Sequence, residues 1–118
     1  MGLYTYPDIS IVCGAPRFED DQRDTLLNPT VLVEVLSPST ENYDRGQKFQ
    51  RYRALSSLVE YVLIAQDAVR VEHYARQHDG RWLLTEADGP EGAIHLAAIA
   101  CDLVLADVYE KVDFEDEA

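Results

Sequence analysis

Cysteine is scarce in this chain, and the positions of the cysteines exclude a disulfide framework and a structural zinc site. The two cysteines among the 118 residues, Cys13 and Cys101, lie far apart, each within an apolar stretch. A disulfide framework or a zinc site needs more cysteines, or His/Cys pairs at ligand spacing. We therefore predict two buried, reduced thiols, which favour a cytoplasmic location.

Long apolar runs are also missing. No run approaches the ~18 consecutive apolar residues that a membrane span needs. The first eight residues contain neither a basic region nor an apolar stretch, so they do not form a secretory signal. We therefore expect no membrane partner.

Positive charge is the third scarcity. The chain has 10 basic and 22 acidic residues and a formal net charge of -12. This balance excludes a nucleic-acid binder whose whole surface is basic. It does not exclude a metal-dependent nuclease, because the pocket of such an enzyme is built from carboxylates.

What is present is a composition ordinary for a globular protein. Hydrophobic residues make up 47% of the chain, and the length suits one domain with a proper core. We predict a single domain over residues 1–112 and an acidic tail over 113–118 that frays.

Short β-branched runs separated by turn residues predict a chain rich in strands. The predicted strands cover 8–13, 30–36, 60–65, 69–76, 81–86, 93–96 and 102–105. Apolar residues at helical spacing predict one helix over 42–55, and residues 106–112 a terminal helical turn. This order predicts an α+β fold with a mixed, largely antiparallel sheet.

One carboxylate interrupts the otherwise apolar second strand. Glu34 lies between Val33 and Val35, where burial is costly unless the carboxylate is paired, protonated or bound to a metal. If the first two strands pair, Asp8 at the head of the first strand converges with Glu34. Two carboxylates and a backbone carbonyl suit Mg²⁺ or Mn²⁺. A buried structural ion pair of Glu34 with Arg or Lys is the alternative.

The helix adds a lysine to this group. Lys48 lies one turn after Asp44 and one turn before Tyr52, so the three share a helix face. Near a phosphate, Lys48 could orient water or stabilise developing charge. Alternatively, Asp44 and Lys48 form an ordinary exposed pair worth ~0.3 kcal/mol, and Tyr52 packs in the core.

The remaining polar candidates favour structural roles. Ser37 and Ser39 lack a nucleophile elbow and a partnered histidine, so we predict that they form a turn and cap the helix. Three histidines show no ligand spacing and are predicted to be structural: His73, His78 and His95.

Three segments together resemble a known family. Tyr6-Pro7-Asp8-Ile9, the run from Val33 to Thr40, and Asp44 with Lys48 and Tyr52 are similar to the Uma-two family of restriction endonucleases, formerly a domain of unknown function. That family is placed in the PD-(D/E)xK nuclease superfamily. The resemblance implies a restriction-endonuclease-like fold and a Mg²⁺-dependent endonuclease that acts on DNA.

The resemblance also implies roles for individual residues. Asp8 matches the aspartate of the "PD" motif, Glu34 matches the second acidic ligand, and the Val35 carbonyl would supply a third oxygen. The motif lysine is expected at Leu36 but is absent there, and Lys48 on the helix is its match. The ammonium needs only to come near the scissile phosphate, which the long lysine stem permits.

Members of this family are longer proteins, with a further region before the "PD" motif. We therefore expect a short member with an exposed sheet edge that favours a homodimer. The alternative function is a catalytically silent, nuclease-like dimeric interaction module. The nearest candidate for a DNA track is the basic cluster of the helix: Arg45, Lys48, Arg51 and Arg53.

Overall fold

The computed structural model describes residues 8–18 and 26–112, and all seven predicted strands are confirmed within these ranges. Each strand ends within two residues of its predicted bounds. The strands are β1 (Ile9–Ile11), β2 (Val31–Val35), β3 (Glu60–Ile64), β4 (Arg70–Arg76), β5 (Trp82–Asp88), β6 (Ala93–Leu96) and β7 (Cys101–Val104). No helix in this part of the chain is long and apolar enough to cross a membrane.

Five of the strands form one sheet in the order β1-β2-β3-β4-β5. The β2 and β3 strands run parallel, and every other neighbouring pair in this sheet is antiparallel. A parallel pair needs a crossover, which the helix between β2 and β3 supplies. The predicted α+β fold with a mixed, largely antiparallel sheet is therefore confirmed.

The crossover helix, α1, changes geometry along its length. It is α-helical over Glu41–Tyr43, has π-helical geometry over Asp44–Lys48, and is α-helical again over Phe49–Tyr52. The predicted helix over 42–55 is confirmed, although it ends earlier. We call the Asp44–Lys48 segment the π-turn.

The remaining elements lie on the other face of the sheet. Strands β6 and β7 form an antiparallel ribbon, connected by a 3₁₀ turn over Ala97–Ile99 and followed by the short helix α2 (Leu105–Val108). The predicted terminal helical turn is present, one residue earlier than expected.

Because both faces of the sheet are covered, the core divides into two. The helix-side core packs α1 against the sheet: Leu32, Leu36, Phe49, Tyr52, Leu58, Tyr61 and Leu63. The ribbon-side core packs the ribbon and α2 against the opposite face: Val31, Val33, Val62, Val71, Ile94, Leu96 and Leu105. Alternation along β2 therefore places Glu34 on the helix side, with Leu32 and Leu36.

Two predictions are wrong. Cys13 and Cys101 are both exposed, because Cys13 follows the end of β1 and Cys101 begins β7, which is mostly exposed. The other wrong prediction is that Ser37 and Ser39 cap the helix: the turn is present, but Thr40, the residue before α1, makes no side-chain cap. Instead, the Ser37 hydroxyl lies 2.8 Å from that of Thr40, and the Ser37 carbonyl accepts the Thr40 and Glu41 N–H groups.

Several sequence features lie outside the described residues. They are Tyr6 and Pro7 of the family motif, the acidic segment from Glu19 to Asp24, and the acidic tail over 113–118.

Candidate active site

Glu34 is the most deeply buried carboxylate in the helix-side core. It lies near the carboxyl end of β2 with 2% of its surface exposed. Its Oε2 accepts a hydrogen bond of 2.7 Å from the Lys48 ammonium. Its Oε1 is fully enclosed and accepts no hydrogen bond from any described residue. One oxygen of this carboxylate is therefore satisfied within the described part of the protein, and the other is not.

Burial makes the Glu34 carboxylate hard to ionise. Desolvation raises its pKa from 4.5 to about 6, against the opposing effect of the Lys48 hydrogen bond and charge. The nearby carboxylates of Asp44 and Asp8 raise this pKa further. Three carboxylates therefore share this region with one lysine, and an added cation would relieve the excess negative charge.

Asp8 lies beside the same end of β2. The antiparallel register pairs Ile9 with Val33, and one more step along it places Asp8 opposite Glu34. The exposed Asp8 carboxylate accepts a 2.7 Å hydrogen bond from the Val35 N–H through Oδ2. The structure thus brings Asp8 and Glu34 to one end of the β1–β2 pair, as the sequence predicts.

The π-turn supplies the lysine. Lys48 Nζ lies 3.6 Å from Asp44 Oδ1 as well as 2.7 Å from Glu34. Both Asp44 and Lys48 are buried, so the alternative of an ordinary exposed pair is excluded. A buried ammonium held between two carboxylates is costly to desolvate unless its geometry is well defined.

Two tyrosines complete the wall of the site. Tyr52 is buried, and desolvation together with the Glu34 charge raises its pKa above the usual value of 10.0. Tyr61 on β3 is fully buried, and its hydroxyl donates a 3.0 Å hydrogen bond to the main-chain carbonyl of Asp44. Tyr61 is not among the site residues predicted from the sequence. Its position in an apolar strand was the one indication of a role, because a buried tyrosine hydroxyl needs a hydrogen-bond partner.

The basic cluster of α1 is not a continuous positive surface. Arg45 donates to Glu72 on β4 and also pairs with Glu41, while Lys48 is buried. The Arg53 guanidinium lies over the Phe49 ring, 4.9 Å from its centroid. The four residues therefore differ in role, and two of them neutralise buried carboxylates.

The oxygen donors near Glu34 suit a hard divalent cation that takes few of its ligands from the protein. Glu34 Oε1 is an enclosed oxygen without a protein donor, and the Asp8 carboxylate and the Val35 carbonyl belong to the same strand end. Oxygen donors are those that Mg²⁺ prefers, and it usually keeps several waters beside one or two carboxylates. Among residues 8–18 and 26–112, no group of three or more His, Cys, Asp or Glu side chains is arranged to hold a metal. An ion bound here would take its protein ligands from two carboxylates and one carbonyl.

The fold matches that of a solved structure. The chain resembles the crystal structure of "a putative nuclease belonging to DUF820" from Anabaena variabilis ATCC 29413, with a TM-score of 0.68 and 19% identity. The match covers 89% of this chain and 59% of that one. The protein therefore has the restriction-endonuclease-like fold that the sequence predicts.

The family follows from the sequence match. The model of the Uma2 family, described as "Putative restriction endonuclease", matches residues 2–107, and the chain belongs to this family. Similar curated proteins are uncharacterized proteins of Synechocystis sp. (strain ATCC 27184 / PCC 6803 / Kazusa). Protein sll1609 is 42% identical, covering 80% of this chain and 53% of its own length. Protein slr1290 is 35% identical, covering 94% and 57%. The chain spans about half the length of these relatives.

Proposed function

We propose that this protein is a Mg²⁺-dependent DNA endonuclease, with Mn²⁺ as a substitute ion, whose site is built on Asp8, Glu34 and Lys48. One observation carries the proposal. Glu34 is buried with a lysine on one oxygen, while its other oxygen has no donor among the described residues. The description of the family and the fold of the solved neighbour support the same reaction class.

The side chains have separate tasks in this proposal. Glu34 Oε1, the Asp8 carboxylate and the Val35 carbonyl would hold the cation. Lys48, already 2.7 Å from Glu34, provides fixed positive charge next to the phosphoryl group. Asp44, 3.6 Å from the ammonium, keeps Lys48 oriented, and Tyr52 closes the apolar wall.

The burial of these groups matters for the chemistry. When bound, a divalent cation activates water and neutralises charge on the phosphoryl oxygens. Lys48 lies in a low-dielectric setting, where a fixed charge stabilises a transition state more strongly than in water. A bound divalent cation would lower the local negative charge of the site, whereas the net charge of -12 by itself opposes DNA binding.

The decisive experiment is cleavage of supercoiled plasmid DNA in the presence of Mg²⁺ or Mn²⁺. We expect Glu34→Gln, Asp8→Asn and Lys48→Ala each to lose at least about a hundredfold in rate. The matched control is Glu60→Gln, because Glu60 is also a buried carboxylate of the sheet but contacts His73 and Ala98 instead of Lys48. Folding of each variant is checked by circular dichroism.

Two results would contradict the proposal. One is the absence of cleavage by the wild-type chain with either ion. The other is cleavage that is unchanged in Glu34→Gln and Lys48→Ala, which would assign the activity to a contaminant.

A second candidate is a nuclease-like interaction module without catalysis. The observation that favours it is the small donor set, since no three His, Cys, Asp or Glu side chains among the described residues are arranged to hold a metal ion. Calorimetric titration with Mn²⁺ distinguishes the two candidates. Saturable binding that Glu34→Gln abolishes supports the nuclease, and the absence of such binding supports the module.

We also propose a cytoplasmic homodimer, as the sequence predicts. The edge strand β1 and its neighbour leave Ile9 and Val35 exposed, which favours contact with another chain. Sedimentation velocity measures the oligomeric state directly, and a monomer at micromolar concentration would contradict the dimer.

A further inference from the structure

The π-turn changes which residues of α1 face the site. At about 100° per residue, an α-helix would place Phe49 about 140° around the axis from Asp44. In π geometry the repeating bond reaches the fifth residue, so residues five apart lie close to one full turn apart. Asp44, Lys48 and Tyr52 share a face at α-helical spacing as well, and the π-turn adds Phe49 to this buried set.

A buried hydroxyl of β3 contacts the start of this π-turn. Tyr61, fully buried on β3, donates its hydroxyl hydrogen bond to the Asp44 carbonyl at 3.0 Å. Its ring stacks on that of Phe49, with centroids 4.6 Å apart and an interplanar angle of 4°. The two contacts join one strand residue to the first residue of the π-turn and to the residue that follows it.

The side chain of Asp44 links this contact to the site. Its Oδ1 lies 3.6 Å from Lys48 Nζ, which in turn donates to Glu34 at 2.7 Å. The main-chain carbonyl of Asp44 is therefore bonded to β3, while the Asp44 carboxylate lies next to the Lys48 ammonium. A displacement of the Asp44 carbonyl moves the segment that carries Lys48.

We propose that Tyr61 is a positioning residue: its hydroxyl bond to the Asp44 carbonyl fixes the π-turn and thereby holds the Lys48 ammonium against Glu34. Tyr61 acts through Lys48 and does not touch the reacting atoms. The consequence for cleavage rests on the proposed nuclease function. The placement of Lys48 does not.

The chain allows a direct measurement of this placement, because Lys48 and Lys111 are its two lysines. Lys48 has 6% of its surface exposed, whereas Lys111 is exposed. The folded, metal-free protein is treated with N-hydroxysuccinimidyl acetate, and the acetylation rate of each lysine is followed by mass spectrometry. Lys111 serves as the internal reference for the reagent.

Tyr61→Phe removes the hydroxyl and keeps the ring. We expect it to raise the acetylation rate of Lys48 about two- to tenfold, the range that corresponds to one net hydrogen bond, with Lys111 unchanged. Tyr61→Leu, which also lacks the hydroxyl, replaces it if Tyr61→Phe does not yield folded protein.

Two controls separate the hydroxyl from general loosening of the aromatic cluster. Tyr74→Phe removes another hydroxyl next to Phe49, since the Tyr74 ring lies 4.6 Å from Phe49, and should leave the Lys48 rate unchanged. Phe49→Leu removes the stacking partner but keeps the Tyr61 hydroxyl. An unchanged Lys48 rate in Tyr61→Phe, or an equal increase in Phe49→Leu, would overturn the inference.

Plasmid cleavage provides the second readout. We expect Tyr61→Phe to lower kcat and to leave KM unchanged, as for an interaction that serves the transition state alone. If Tyr61→Phe is acetylated faster at Lys48 but the wild-type chain does not cleave DNA, the positioning role is supported and the nuclease function is refuted. Unchanged acetylation in a chain that cleaves normally would refute the positioning role and retain the nuclease.

Discussion

Two buried glutamates on neighbouring strands of this protein have opposite surroundings. Glu34 on β2 is 2% exposed and Glu60 on β3 is 4% exposed. Glu60 lies with Val62 on the ribbon side of the sheet, because its neighbour Tyr61 belongs to the helix-side core. The two carboxylates therefore lie on opposite faces of the sheet, each within one of the two cores.

Both oxygens of Glu60 are satisfied within the protein. Oε1 lies 2.7 Å from His73 Nε2, and Oε2 accepts the Ala98 N–H at 2.8 Å. Since Ala98 belongs to the 3₁₀ turn of the ribbon, Glu60 connects the ribbon to the sheet. The prediction that His73 is structural agrees with this contact.

The two glutamates differ in whether the second carboxylate oxygen has a hydrogen-bond donor. Glu34 pairs with Lys48 through Oε2, and its Oε1 has no donor among the described residues. An enclosed acceptor without a donor costs free energy, and a bound ion or water is one way in which a protein satisfies it. Complete satisfaction therefore identifies Glu60 as structural, and incomplete satisfaction identifies Glu34 as a candidate ligand.

The largest expected effect comes from removing the cation beside Glu34. Lys48→Met leaves a buried carboxylate without its ion-pair partner, and we expect the free energy of unfolding to fall by about 3–5 kcal/mol at pH 8. Urea denaturation measures this value.

The other lysine provides the matched control for that change. Lys111→Met alters an exposed residue and should change the free energy of unfolding by less than about 0.5 kcal/mol. The double variant Glu34→Leu/Lys48→Met should recover much of the loss, because it removes both charges. A loss below about 1 kcal/mol in Lys48→Met would contradict the buried ion pair.

The second effect concerns Glu60. Glu60→Ala leaves the Ala98 N–H and His73 without their acceptor, and we expect a loss of about 2–3 kcal/mol in the free energy of unfolding. Hydrogen exchange at the Ala98 amide should also become faster, because the contact between ribbon and sheet is broken. Protection of that amide equal to wild type would show that Glu60 does not hold the ribbon.

The third effect is the pH dependence of Glu34. Its pKa rises from 4.5 to about 6 on folding, so the folded protein binds this proton more tightly than the unfolded chain. The stability that results is fully present below pH 4.5 and is lost as the pH rises through 6. The change of about 1.5 in pKa corresponds to about 2 kcal/mol.

The measurement compares wild type with Glu34→Gln in the absence of metal. Between pH 4.5 and pH 7.5, the free energy of unfolding of wild type should fall by about 2 kcal/mol relative to Glu34→Gln. Carboxylates remote from Glu34 cancel in this difference. A difference between the two proteins that does not vary with pH is the outcome that opposes a raised pKa.

The smallest effect sets the reference for an exposed carboxylate. Asp102 pairs with His95 across the ribbon at 2.6 Å, and both side chains are more than half exposed. We expect Asp102→Asn to change the free energy of unfolding by no more than about 0.5 kcal/mol, since solvent screens exposed pairs. A larger loss would mean that contact distance alone, without burial, determines the value of a carboxylate in this protein.

Most of the fold follows from local sequence pattern. The apolar runs and their turn residues locate the seven strands, because alternation and β-branched residues report directly on half-buried sheets. The π-turn was not predictable, since Asp44 to Lys48 carries no local signal that separates π from α geometry. The exposed cysteines were wrongly predicted to be buried, because apolar neighbours in the sequence do not reveal whether Cys13, past the end of β1, or Cys101, on the mostly exposed β7, is covered.

The candidate site divides in the same way. Asp8, Glu34 and Lys48 were identifiable from an acidic residue in an apolar run and from the family motif. Tyr61 was not, since its importance depends on a contact between β3 and α1.

By itself, the sequence determined the order of the strands and the single crossover helix, because hydrophobic periodicity and turn residues act over short segments. It also determined which carboxylate to suspect on β2. Only the tertiary structure decided that Glu34 has a lysine on one oxygen and no described donor on the other, while Glu60 is satisfied on both. Burial and hydrogen bonding are set by the elements that pack across the sheet, and these elements are distant in the chain.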